Sequence, residues 1–316
     1  WLLRPWRRNG FMTTPLIDFC EQASAILESA QRVLLCSHVF PEADSVGSES
    51  AIARHLTHHG RSVHVCNPTP IPDIYRFLVD LSGVAPDRWR HGRDQVPEHD
   101  LVIILDVNDW DYMGDLGAVL SRSPAPKLLF DHHQHLRQIA DAALIDVDAS
   151  ATGEVLYRYF LATGADIDQP MAAALYASIL FDTGGFRFRN TRDDTLLIAS
   201  ELIRRGASHT ETAARLFENE SFARVELLTA ALRRVRSDHG GQIAWTYITA
   251  DMFEHTGTSA VDADGVVDQL MTIRGVELGI LFRELHQDGV KVTFRSKGRP
   301  DRSEEHTSEL QSPSAI

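Results

Sequence analysis

The sequence predicts an α/β protein: a mostly parallel sheet flanked by helices, followed by a smaller α/β C-terminal domain. Three observations carry this. Short apolar runs at 33–36, 63–66, 101–105 and 127–130 alternate with segments of helical periodicity, the pattern of βαβ units. After Gly240-Gly241 the texture changes to longer β-rich runs at 243–249, 276–284 and 290–295. Between these two regions lies a long helix-favouring stretch.

In chain order, residues 18–31 read as a helix leading into the strand at 33–36. Residues 45–59 follow as a helix whose Val46, Ile52, Ala53 and Leu56 share one face, and Gly60 stops it. A strand at 63–66 runs into a proline-rich turn at 67–72. Residues 151–162 and 170–181 are helical, the second opened by a proline in its first turn. Asp193 or Asp194 caps a helix over 195–205 that Gly206 ends. Residues 209–236 read as a charged helical linker. An amphipathic helix over 261–272 separates the first two strands of the final domain, which spans about 237–301.

Composition narrows the function classes. The chain has 316 residues, 43% of them hydrophobic and 24% charged, ordinary values for a globular protein of two domains. No run approaches the roughly 20 apolar residues of a membrane-spanning helix, so no membrane partner is expected. Residues 1–11 are basic, lack the apolar core of a signal peptide and read as upstream read-through, with Met12 as the start. Cys20, Cys36 and Cys66 are scattered in or near apolar segments, the usage of reduced thiols in a cytoplasmic protein. A net charge of −13 argues against sequence-independent wrapping of nucleic acid and leaves room for a small basic groove. Residues 302–316 read as the translation of a sequencing-adapter oligonucleotide.

The chemistry concentrates where apolar runs end. Asp131-His132-His133 closes the run at 127–130, Asp106 closes 101–105, and His38 through Asp44 follows 33–36. In open parallel sheets ligands bind outside the carboxyl ends of the strands, so all three clusters fall on one edge. One such aspartate is more often a turn or cap residue; three clusters in the same structural position point to a polynuclear cation site. Mixed carboxylates and imidazoles suit Mn²⁺ or a similar ion, and crowded carboxylates need cations to stay ionised.

These clusters carry a resemblance to the DHH phosphoesterase superfamily, in its branch of oligoribonucleases and 3′-phosphoadenosine-5′-phosphate phosphatases. Residues 37–48, beginning Ser37-His38-Val39-Phe40-Pro41-Glu42-Ala43-Asp44, resemble its first motif. Leu105-Asp106 resembles the second, Asp131-His132-His133 the name-giving third, and residues 180–188, with Asp182, the fourth. Glu42 stands where the family usually has aspartate, and Ala43 where glycine is frequent. The match runs in order over about 16–301. It makes residues 12–208 the metal-binding catalytic domain and 237–301 a DHH-associated substrate-binding domain, truncated.

The resemblance implies two divalent cations, Mn²⁺ foremost with Mg²⁺ or Co²⁺ as alternatives. One would be held by His38, Glu42 and Asp106, the other by Asp44, Asp106, His132 and Asp182. It implies hydrolysis by a two-metal-activated water, with His133 facing the scissile phosphate and Asp131 orienting a histidine of the site. Arg295, Ser296 and Lys297 match the associated domain's phosphate-gripping strand end. The family's glycine-rich segment with a histidine is expected just beyond them and does not occur in this sequence. Arg187, with Arg189, is a candidate phosphate contact or equally a charged face; Thr152-Gly153-Glu154 is family-like and reads as structural.

The implied activity is removal of nucleotides from the 3′ end of short RNA, or of phosphate from a nucleoside bisphosphate, by a cytoplasmic enzyme that could form a homodimer. The alternatives are a cyclic-dinucleotide phosphodiesterase, a family II pyrophosphatase, or a nucleotide-binding relative without turnover.

Overall fold

The computed structural model describes residues 13–134, 137–263, 265–285, 289–297 and 308–311. Of the stretches 1–11 and 302–316, interpreted above as flanking sequence, all but 308–311 lie outside the described residues, and 308–311 form a strand of the second unit. The chain divides into two compact units, Trp1–Asn219 and Glu220–Ile316.

The first unit is doubly wound. Helix α1 (Thr14–Ser29) leads into β1 (Arg32–Cys36), α2 (Ala43–His58) and β2 (Ser62–Asn67). A short α3 (Arg76–Leu81) precedes β3 (Trp89–His91) and β4 (Leu101–Leu105). Then come α4 (Gly114–Leu120), β5 (Lys127–Asp131) and β6 (Ala142–Ile145). Four helices complete the unit: α5 (Thr152–Thr163), α6 (Gln169–Asp182), α7 (Asp193–Arg204) and α8 (His209–Phe217).

The six strands lie in the order β3-β2-β1-β4-β5-β6, every pair parallel. The chain therefore winds outward from β1 to β3 and returns on the other side of β1 at β4. That reversal opens a crevice beyond the carboxyl ends of β1 and β4, the topological switch point. Cys36 pairs with Ile104 and Leu105 with Phe130, so His38, Asp106 and Asp131 emerge side by side at that edge.

All five residues of β4 are buried, as expected for a central parallel strand covered on both faces. Helix α6 is apolar almost all round and lies within the larger core, packed with α2 and α5. Gly47 makes the α2–α6 approach possible: a Cβ there would sit 2.6 Å from the Ala174 carbonyl oxygen.

The second unit holds α9 (Phe222–Leu232), β7 (Arg236–Asp238), β8 (Ile243–Ile248), α10 (Ala250–Thr256), α11 (Val266–Met271), β9 (Leu278–Leu285), β10 (Gly289–Ser296) and β11 (Ser308–Gln311). Its sheet order is β11-β10-β9-β8-β7. Strands β8 and β9 are parallel and the other pairs antiparallel. Leu281 and Ile248 of the sheet pack with Leu227, Met252, Phe253 and Val267 of the helices.

Several elements differ from expectation. The stretch 209–236 is two helices, broken where Ser221 caps α9 by accepting from the Arg224 amide, and the boundary between units falls at that break. The helix expected over 261–272 is a 3₁₀ turn at Ala260–Ala263 and then α11, separated by Gly265 at φ +79°. Helix α7 starts at Asp193 with Arg192 as its cap residue, whose amide donates to Thr195 Oγ1. Strands β3, β6, β7 and β11 and helices α3, α4 and α10 were not anticipated; each is short, and β3 has no buried residue to give it an apolar signature.

Candidate metal centre

The site is built from five segments of the first unit. Just beyond β1 the chain turns, and the Ser37 amide donates to Asn67 Oδ1 at 2.9 Å. This fixes the start of the loop that carries His38. Glu42 takes the cap position of α2, its amide donating to Ser45 Oγ at 3.0 Å, and Asp44 lies in the first turn of that helix. Asp106 follows β4 with φ +63°, a conformation rare for a residue with a Cβ, and its amide donates to the Phe130 carbonyl. That strained turn directs the carboxylate into the crevice. Asp131 ends β5, His132 and His133 follow it, and Asp182 is the last residue of α6.

Asp106 joins the two halves of the cluster. Its Oδ2 lies 3.4 Å from His38 Nε2, and its Oδ1 lies 3.6 Å from His132 Nε2. His132 Nε2 is also 3.5 Å from Asp44 Oδ2 and 3.4 Å from Asp182 Oδ2. Donor atoms of His38, Glu42 and Asp106 lie within 4.8 Å of one another. The same holds for Asp44, His132 and Asp182, and for Asp106, His132 and His133. All six ligand candidates named from the sequence therefore meet at the switch point.

The donor set calls for cations. His132 is buried and its Nδ1 lies 3.3 Å from the Ala149 carbonyl oxygen, so Nδ1 carries the proton there. Burial holds the imidazole below its ordinary pKa, against the opposing charge of Asp44 and Asp131, which keeps it neutral. A neutral ring with Nδ1 protonated turns the Nε2 lone pair toward three carboxylates, which is repulsive unless a cation lies among them. Asp106 points the same way. Burial, then the charges of Asp44, Glu42, Asp182 and Asp131, push its carboxyl well above the usual range. A divalent ion removes that conflict, and the mixture of carboxylate and imidazole fits one.

Asp131 is oriented differently. It is buried, and its Oδ1 accepts from His133 Nδ1 at 2.7 Å and from the His132 amide at 2.8 Å. Burial pushes this carboxyl up, but the His133 hydrogen bond and the His133 and His132 charges outweigh it and leave it below the ordinary value. His133 moves the opposite way. Burial lowers it, yet the bond to Asp131 and the charges of Asp131, Asp44 and Glu42 raise it overall. With Nδ1 committed to Asp131 and a half-exposed side chain, its Nε2 remains for a group in the crevice.

Ser178 and Asn108 were not recognised from sequence, and Thr152 and Gly153 were interpreted as structural. Thr152 Oγ1 donates to Asp106 Oδ1 at 2.9 Å, so the segment 152–154, interpreted as structural, touches the cluster directly. The Thr152 and Gly153 amides at the start of α5 donate to Asp44, and Ser178 Oγ donates to Asp44 Oδ1 at 2.5 Å. Asn108 donates to Asp131 Oδ2, also at 2.5 Å. One signal was available: Ser178 lies four residues before Asp182, on the same helix face.

The substrate candidates are divided between the two units. Arg187 is exposed and its Nε donates to the Gly184 carbonyl at 2.5 Å. In the second unit, Arg295 is on β10 and pairs with Asp268 Oδ1 at 3.1 Å, an exposed ion pair of the weak kind. Ser296 and Lys297 are exposed at the end of that strand.

The class is thus a doubly wound α/β domain with a cation-seeking cluster of carboxylates and imidazoles in its switch-point crevice. Residues 32–179 match the DHH family, N-terminal domain. A bifunctional oligoribonuclease and PAP phosphatase of Bacillus subtilis is 30% identical over 273 residues, covering 84% of this chain and 82% of the relative. A Thermus thermophilus protein of the same description is 26% identical, covering 84% and 76%. The crystal structure of an exopolyphosphatase-related protein from Bacteroides fragilis superposes with a TM-score of 0.83 at 21% identity, covering 89% of this chain and 84% of that one. The chain belongs to the DHH family, and it is a phosphoester hydrolase.

Proposed function

We propose that this enzyme releases nucleotides from short oligoribonucleotides and removes phosphate from 3′-phosphoadenosine-5′-phosphate, using two divalent cations of which Mn²⁺ is the best match. The observation that carries the reading is the meeting of His38, Glu42, Asp44, Asp106, His132 and Asp182 about one shared carboxylate. The names of the Bacillus and Thermus relatives support both substrates.

One ion would be held by His38, Glu42 and Asp106, the other by Asp44, Asp106, His132 and Asp182. When bound, such ions supply positive charge against the phosphate and ease the ionisation of water. The chain's own groups do the rest. His133, oriented by Asp131, presents Nε2 to the scissile phosphate and can donate a hydrogen bond or a proton there. Asp131 fixes the tautomer, and Asn108 fixes Asp131. Arg295, Ser296 and Lys297 would hold a terminal phosphate, with Arg295 exchanging its weak pair with Asp268 for the ligand, and Arg187 would contact the substrate. We further infer a cytoplasmic enzyme, consistent with its free cysteines, and a homodimer on family grounds; light scattering tests the latter.

The test is mononucleotide release from di- to pentanucleotides with Mn²⁺, beside 3′-phosphoadenosine-5′-phosphate, pyrophosphate and a cyclic dinucleotide. The reading expects turnover of the first two substrates. Turnover of pyrophosphate or the cyclic dinucleotide alone would overturn it.

A further inference from the structure

Ser178 is a polar residue in a helix that is apolar almost all round. It is fully buried, on α6, where α2 and α5 converge. Both neighbouring helices present a glycine to it. A Cβ on Gly153 would meet Ser178 Oγ at 2.1 Å, and one on Gly47 would meet Ser178 Cβ at 3.3 Å. Alanine has the higher helix propensity, so the hydroxyl needs another reason. Its hydrogen bonds are to the site: it accepts from the Gly153 amide at 3.0 Å and donates to Asp44 Oδ1 at 2.5 Å.

Asp44 is itself fully buried, so its oxygens need hydrogen-bond partners. Its Oδ1 receives Ser178 Oγ, the Gly153 amide at 3.2 Å and Ser48 Oγ at 3.4 Å. Among the described residues its Oδ2 receives only the Thr152 amide, at 2.9 Å, and it faces His132 Nε2. The donors therefore saturate one oxygen and leave the other directed at the His132–Asp182 half of the cluster. Ser178 and Asp182 are one helical turn apart, so α6 supplies both a candidate ligand and the group that aligns a second one.

We propose that Ser178 is a positioning residue for ion binding: its hydroxyl fixes the Asp44 carboxylate so that Oδ2 faces the ion shared with His132 and Asp182. The proposal rests on Asp44 being a ligand. Gly153 follows as its partner, since only a residue without a Cβ leaves room for that hydroxyl.

The test is calorimetric titration of the metal-free full chain with Mn²⁺, for wild type, Ser178→Ala and Asp44→Asn, beside the thermal midpoint of each metal-free protein. Loss of a group that orients a ligand typically lowers metal affinity about 10- to 100-fold. Ser178→Ala is expected to weaken one ion by such a factor and leave the other within about threefold, in a metal-free protein that still unfolds cooperatively. Two Mn²⁺ affinities within about twofold of wild type would overturn it, as would an equal weakening of both ions, which marks a general packing role. Asp44→Asn separates the two claims. If it binds Mn²⁺ like wild type, the ligand reading fails; if it loses an ion while Ser178→Ala does not, only the role of Ser178 fails.

Discussion

At the scale of single residues, the cluster assigns different work to chemically similar groups. Asp131 and Asp106 are both buried strand-end aspartates, yet one is held low by a histidine and the other pushed up by its acidic neighbours. The first can hold a histidine in one tautomer; the second asks for cations. Asp131→Asn puts an amide where a carboxylate accepted from His133, and general acid–base groups of this kind contribute roughly 10²- to 10⁴-fold. We therefore expect kcat to fall by about that factor in steady-state assays while Mn²⁺ affinity holds. Thr152→Val keeps the shape but removes the hydroxyl bond to Asp106. It is expected to lower Mn²⁺ affinity about tenfold, read by the Mn²⁺ concentration giving half-maximal rate. The ligand candidates were legible in the sequence because aspartates and histidines at the ends of apolar runs stand out. Ser178 and Asn108 were not, since small polar residues within or beside helices carry no distinguishing pattern until the elements are packed; Thr152 stood out only as the start of a helix.

At the scale of elements, α2 carries both the site and a buried acid. Glu49 lies one face away from Asp44, wholly buried, with Oε2 accepting from Asn67 Nδ2 at 3.0 Å while Asn67 Oδ1 holds the Ser37 amide. Burial pushes its carboxyl up to about 8, despite the Asn67 bond that lowers it. The folded protein thus keeps a proton that the unfolded chain, with an ordinary value near 4.5, releases. The associated stability is complete below the unfolded value and drains away as pH rises toward the folded one. Glu49→Gln lacks this loss. Its stability relative to wild type should climb between about pH 5 and pH 8, by up to ~1.4 kcal/mol per pH unit, in urea unfolding; a pH-independent difference would contradict the account. Gly47 tests the packing of the same helix. Gly47→Ala would press a methyl on the Ala174 carbonyl, with a cost of about 1–3 kcal/mol expected from the same unfolding measurement. The long elements were readable from periodicity, whereas β3 and β6, with three and four residues, offered too little pattern to find.

At the scale of the molecule, the parallel sheet explains why residues as distant as 38 and 182 share one site. The alternation of strands and helices was visible in the sequence, and with it the edge on which ligands would gather. The strand order was not, and it is the order that puts β1 beside β4 and Asp106 between the two histidines. The ions, if bound only by the folded first unit, should stabilise that unit selectively. Mn²⁺ at about 100 times its Kd contributes roughly 2.7 kcal/mol. Calorimetric scans with and without a chelator should show one transition moving with Mn²⁺, that of residues 1–219, and a separate transition for the second unit staying in place.

The central claim is that this cluster hydrolyses the phosphodiester of short RNA with His133 beside the phosphate. The most direct test is single-turnover release of mononucleotide from a 5′-labelled trinucleotide with saturating Mn²⁺, wild type beside His133→Ala. The account predicts rapid stepwise shortening by wild type and a loss of roughly 10²-fold or more in His133→Ala, with trinucleotide binding retained. Equal rates for the two proteins, or no shortening by wild type, would contradict it.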